Sequence, residues 1–227
     1  MQSRGPVAPG AAPACDAERM SRLLPDADVV TAYVGVRSRL VELLRELPAG
    51  EAGTVVPGCP DWNVAELVSH VVGVVDDILE SRMEGVTTDP WTQAQVERLR
   101  GLTLAELADR FEAGGRRFDP VLPMVPSPVN SQLVMDAVTH EHDLREAVGR
   151  PGAQDSLAVK VALGWLLDLA DRRAPGFADT LLASGAGDYD LLRSLTGRRT
   201  AAQMAAAGLP AEGIVELLQG TPLKPPA

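Results

Sequence analysis

Apolar side chains recur at spacings of three and four between residues 28 and 47: Val29, Val30, Tyr33, Val36, Leu40, Leu43, Leu44 and Leu47. That period places them on one face of a helix, which Pro48 and Gly50 end. Beyond a loop through Val55, Val56, Pro57, Gly58, Cys59 and Pro60, Asn63 and Glu66 form a variant capping box that starts a second helix running to about Arg82. Strand is the rival reading for its Val-rich run, but the spacing of Leu67, Val71, Val74 and Ile78 favours helix. So many β-branched residues weaken local propensity, and the segment needs tertiary packing to persist. A linker from Gly85 to Pro90 and a short segment from Trp91 to Arg100 precede a third helix, capped by Thr103 with Glu106 and reaching Phe118. Pro120, Pro123, Pro126 and Pro128 make the next stretch extended; a fourth helix then runs from about Ser131 to Val148, closed by Gly149 and Pro151. A fifth covers about Asp155 to Arg172, and shorter candidates lie at Tyr189–Leu195, Thr200–Ala207 and Ala211–Leu218.

These elements predict a mainly α protein: an up-and-down four-helix bundle over 26–152 followed by a small, mostly helical portion over 153–220 packed on it. Residues 1–25, rich in Pro, Gly and Ala without an apolar core, read as a disordered leader and not as a signal peptide; residues 221–227 read as a mobile tail.

Charge and composition narrow the function. With 21 basic against 31 acidic residues the net charge is −10, which argues against nucleic acid and membrane surfaces as partners. No run of 18 apolar residues occurs, so no transmembrane helix is expected. Cys15 and Cys59 make neither a disulfide framework nor a C-x-x-C pair, which points to the reducing cytoplasm. Apart from Lys160 and Lys224 the basic residues are all arginine, a bias expected of GC-rich coding.

Only His70, His140 and His142 supply imidazole. On the fourth helix one face reads Leu133, Asp136, Ala137, His140, Leu144, Ala147 and Val148, so a carboxylate and an imidazole lie one turn apart inside an apolar stripe. An unpaired carboxylate there would cost several kcal/mol, so the pair needs a partner. His70, bordering the apolar stripe of the second helix, is the candidate. Two nitrogens and one oxygen converging in a bundle would form a facial site with open positions, suited to Zn²⁺, Ni²⁺ or Fe²⁺. The bland alternative is an Asp–His pair that merely stabilises the bundle. Asp143, at i+3 from His140, reads as an orienter of a histidine N–H, as a base, or as a surface carboxylate. His142 lies about 200° from His140 around the helix and is expected at the surface. Cys59 reads as a small buried loop residue, Trp62 and Trp91 as packing anchors, and Arg198 and Arg199 as a solvated helix end.

The run from Pro57 through Cys59, Asp61, Trp62 and Asn63 to His70 resembles the first signature of the mycothiol-dependent maleylpyruvate isomerase family, among the DinB-like metal-binding bundles. Trp91–Val96 with Thr103–Leu107, then Asp136–Arg145, then Asp190–Thr200, match later signatures in the same order. The resemblance spans residues 55 to about 205 and is specific for the family, though not for one reaction. It implies a DinB-like four-helix bundle that binds a divalent metal, usually zinc, through the positions of His70, Asp136 and His140. Many relatives carry Glu at the Asp136 position; Asp, also common there, has the shorter reach. It further implies an actinobacterial source and mycothiol, whose sulfur the metal can hold as thiolate for addition to an electrophilic carbon. Expulsion after bond rotation gives cis–trans isomerisation; retention gives S-transfer. The stretch from Pro175 to Asp188 is too short for the small α/β portion usual in relatives, so the C-terminal portion looks shortened. In the family an arginine of this portion is associated with thiol recognition, and Arg198 is the match to it.

The expectation is therefore a cytoplasmic metal-dependent isomerase or thiol S-transferase, monomeric or homodimeric, whose partners are a thiol and an electrophilic small molecule. Two alternatives stand beside it. One is a non-catalytic bundle that binds metal, a small molecule or a protein; the other is a specialised biosynthetic enzyme that reuses the site without mycothiol.

Overall fold

The computed structural model describes residues 21–223 and 225. Its helices are α1 (Asp26–Glu46), α2 (Val64–Leu79), α3 (Asp89–Leu99), α4 (Leu104–Phe118), α5 (Val129–Ala147), α6 (Leu157–Arg173), α7 (Phe177–Ala183), α8 (Asp188–Leu195), α9 (Ala201–Ala206) and α10 (Ala211–Leu218). The capping boxes form as the sequence predicts. Asn63 accepts from the Glu66 N–H while the Glu66 carboxylate accepts from the Asn63 N–H, and Thr103 and Glu106 do the same for α4. All six valines of α2 are buried, which supplies the packing that its β-branched sequence requires.

Polar pairs across the bundle set the helix directions. Asp26 meets Asn130, Arg39 meets Glu141 and Glu46 meets Arg150, so α1 and α5 run the same way. Arg37 meets Asp119 and Arg45 meets Asp109, so α4 opposes α1. Asp76 meets Arg110 and Glu80 meets Arg117, so α2 and α4 are parallel. The segment 91–100 explains this sense. It is a helix of its own, α3, which climbs back along α2 with Gln95 beside His70 and Arg100 near Glu66. Direction alternates along the chain only when α3 is counted, and α2 is left antiparallel to α5, with His70 at the level of Asp136 and His140.

Helix α6 packs against α1 and α5 and closes the far side of the bundle. Gly164 lets the chain cross it closely: a Cβ there would lie 2.5 Å from the Arg22 carbonyl oxygen. Arg22 bonds Asp171 at 2.9 Å, and Leu23 and Leu24 pack on the core. The end of the expected leader is thus built into the fold, while its first twenty residues lie outside the described ones. At the other end Leu223, expected in the mobile tail, packs on the core, and the Leu223 N–H donates to Thr221 Oγ1. The stretch after α6 holds the short helix α7, whose Ala178 and Leu181 are buried. Among the described residues extended pairing is limited to one isolated bridge, Val55 with Asn63.

Candidate metal centre

Helix α2 contributes His70, and α5 contributes Asp136, His140 and Asp143. The loop before α2 brings Cys59 and Trp62 over them. His70 Nε2 and His140 Nε2 each lie 3.6 Å from an oxygen of the Asp136 carboxylate. The two imidazoles meet edge to face with centroids 5.0 Å apart, and the Trp62 ring lies 5.4 Å from one and 6.1 Å from the other. Both histidines are buried, whereas the Asp136 side chain is 35% exposed and marks the open side.

Behind each imidazole stands a polar support. His70 Nδ1 is 2.7 Å from Gln95 Oε1; Gln95 Nε2 donates to Asp77 at 2.9 Å, and Asp77 also accepts from Arg82 and Arg98. His140 Nδ1 is 3.2 Å from Asp143. Asp143 accepts from Arg193 at 2.6 Å and from Arg198 at 2.8 Å. Gly58 lies so close that a Cβ would sit 2.6 Å from Asp143 Oδ1. Gly73 does the same for the other support, where a Cβ would sit 2.5 Å from that of Gln95.

Two sets of potential ligand atoms lie within 4.8 Å of one another: His70, Asp136 and His140, and Cys59, His140 and Asp143. The sets differ in charge. Two guanidinium groups already neutralise Asp143, so a cation in the second set would face them at close range. The Cys59 thiol is pushed up to about 11 by burial, against the pull of Arg198, so it is protonated at neutral pH. In the first set burial opposes ionisation of Asp136, but His70, then His140 and Arg198, outweigh it and hold the carboxyl at about 2. Burial pulls the His70 imidazole down, and Asp136 and Gln95 raise it on balance. Two imidazoles and one anionic carboxylate, each aimed at one point with an open side, make the better cation site.

The family model of the mycothiol maleylpyruvate isomerase N-terminal domain matches residues 35–155. The chain belongs to that family. Neither a curated protein nor a solved structure matches it. The matched span includes His70, Gln95, Asp136, His140 and Asp143 and stops before Arg193 and Arg198.

Several local expectations are corrected within this bundle. His142 is not at the surface. It is 2% exposed and packs edge to face on Tyr189 of α8 at 4.8 Å, because α5 is covered on the side away from the centre too. Arg198 is not a solvated helix end: its side chain is 9% exposed and joins Asp143 to the Cys59 sulfur, 3.2 Å away. The C-terminal portion, though without a sheet, therefore reaches the centre. Cys59 is half-buried against Arg198 and Asp143, and Trp62 roofs both histidines. Trp91 anchors the preceding linker by donating to the Arg82 carbonyl. Sequence reasoning missed Gln95, Asp77 and Arg193. For Gln95 a signal existed, since it lies at i+4 from Trp91 and i−4 from Leu99, a polar residue on the packed stripe of α3.

Proposed function

We propose that this chain is a divalent-metal-dependent enzyme in which a low-molecular-weight thiol adds to an electrophilic small molecule, giving cis–trans isomerisation or S-transfer. The observation that supports it best is the convergence of His70 Nε2 and His140 Nε2 on the carboxylate of Asp136, each at 3.6 Å. These three residues would hold the ion, for which zinc suits the donor set and nickel or iron(II) share it. Bound there, the ion supplies a charge that favours thiolate over thiol and polarises an electrophile.

The remaining chemistry falls to the chain. Asp136 marks the side from which small molecules approach. Trp62 covers both imidazoles, keeping water from that side and offering a flat apolar face. Asp143, held well below the usual carboxylate range by His140, Arg198 and Arg193 against its burial, orients His140 and is not a base. Arg198 donates to Asp143, Cys59 and the Thr196 carbonyl and so couples the C-terminal portion to the centre.

Cobalt substitution followed by thiol titration tests the proposal. A thiolate-to-cobalt charge-transfer band is expected, together with turnover of a cis-unsaturated electrophile such as maleylpyruvate. His140→Ala should lose metal and activity together. A cobalt protein that gives no spectral response to thiols would overturn thiol use, and an active, metal-free His140→Ala protein would overturn the metal assignment.

A further inference from the structure

We infer that Gln95 is the positioning residue for His70: through Asp77 it fixes which ring nitrogen carries the proton and so makes α3 part of the metal centre. The inference rests on the metal reading of the site and deepens it. Its logic runs from the far end of the relay. Asp77 is wholly buried and accepts from Arg82 and Arg98, so it is a carboxylate with nothing to donate. Only the NH₂ end of Gln95 can face it, at 2.9 Å. The amide oxygen must then face His70 Nδ1, at 2.7 Å, and a contact with a carbonyl oxygen requires that Nδ1 donate. The proton is thereby placed on Nδ1 and the lone pair on Nε2, the atom aimed at Asp136. The relay needs an acceptor at one end and a donor at the other, which a primary amide supplies.

Packing enforces the same result. Gln95 is fully buried over Gly73, where any Cβ would collide with it, so the glycine lets α3 seat close enough for its amide to lie between His70 and Asp77. The helix that the sequence left as a short segment is thus held to α2 by the relay that orients a ligand.

Cobalt(II) titration of the full chain, read from its visible absorption, tests the inference in four proteins. Against wild type, Gln95→Met should weaken cobalt binding about 10- to 100-fold, the usual cost of losing such a support. Gln95→Glu sets two carboxylates face to face and should weaken it similarly. The exchange Asp77→Asn with Gln95→Glu keeps an acceptor toward His70 and restores the donor–acceptor pair behind it at unchanged net charge, and should recover most of the loss that Gln95→Glu causes alone. Nitrogen-15 NMR of the metal-free wild-type rings, recorded above the imidazole titration range, reads the tautomer without any substitution and should show His70 protonated at Nδ1. Wild-type affinity in Gln95→Met, or His70 protonated at Nε2, overturns the inference even if the exchange variant does not fold. A wild-type protein that takes no cobalt overturns the metal reading instead, and the tautomer then decides the role of Gln95 by itself.

Discussion

The two supports behind the centre end alike and are anchored differently. Each finishes in a buried aspartate that accepts from two arginines, and each needs a glycine to admit it. Behind His70 an amide stands between imidazole and carboxylate, all partners lie between residues 70 and 98, and the arginines Arg82 and Arg98 remain 42% and 36% exposed. Behind His140 the carboxylate of Asp143 touches the ring directly, and its arginines come from residues 193 and 198, the first wholly buried. One histidine is therefore held by local structure open to water at its end. The other depends on a segment about 50 residues away that the family match does not include. An ion pair shut away from water is costly to break from one side, whereas a half-exposed arginine can be replaced by solvent.

That asymmetry predicts the largest effect. Arg193→Met leaves Asp143 buried with one cationic partner and is expected to destabilise the protein by about 3–5 kcal/mol, read from denaturant unfolding. Arg98→Ala, at the matching place behind His70, should cost about 1 kcal/mol or less, since Arg82 still pairs with Asp77 and solvent can take the place of the half-exposed Arg98 side chain. Equal losses from the two substitutions would remove the distinction between the supports.

His142, on the other side of α5 from the centre, gives the next largest effect. Burial lowers its imidazole to about 4, and among the described residues Nε2 has no hydrogen-bond partner. Above about pH 6.5 it is neutral both folded and unfolded, and its stability contribution is complete. As pH falls from about 6.5 to about 4, the unfolded chain takes up a proton that the folded one refuses, so stability is lost, by about 3 kcal/mol in all. His142→Phe should unfold with a shallower acid dependence over that interval. An unchanged slope would show that the charges near the centre, and not this ring, govern acid sensitivity.

How much of this was legible follows from the range of each contact. The Asp136–His140 pair and the caps of α2 and α4 depend on residues within four positions of one another, and a helical count shows them. The partnership with His70 came from a second helix whose apolar stripe pointed inward, which periodicity also gives. The same count misplaced His142, because one face's period says nothing about a second layer, here α6 and α8, on the opposite face. It also passed over α3, whose packed stripe carries only Trp91, Gln95, Val96 and Leu99 among charged neighbours, too few apolar residues to signal a helix. Arg193 and Arg198 were beyond any local rule, since their partner lies on another helix and only tertiary packing joins them.

The glycines offer the finest comparison of the two supports, with smaller expected effects than Arg193→Met or the titration of His142. Gly58→Ala would press a methyl group toward Asp143, whose place is fixed by Arg193 and Arg198; with nowhere to yield, about 1–3 kcal/mol of stability should be lost. Gly73→Ala would press on Gln95 instead. Here the clash is offset by about 1 kcal/mol of gained helix propensity inside α2, and α3 can shift outward because Arg98 beyond it is half-exposed. The net stability change should be about 1 kcal/mol or less, yet Gln95 must move away from His70. The two alanines thus separate stability from ligand orientation: Gly58→Ala should lower the unfolding midpoint more, and Gly73→Ala should lower cobalt affinity more for each kcal/mol lost. A Gly73→Ala protein that binds cobalt as wild type does, while Gln95→Met does not, would show that the α3 seat tolerates displacement and that the amide alone orients the ring.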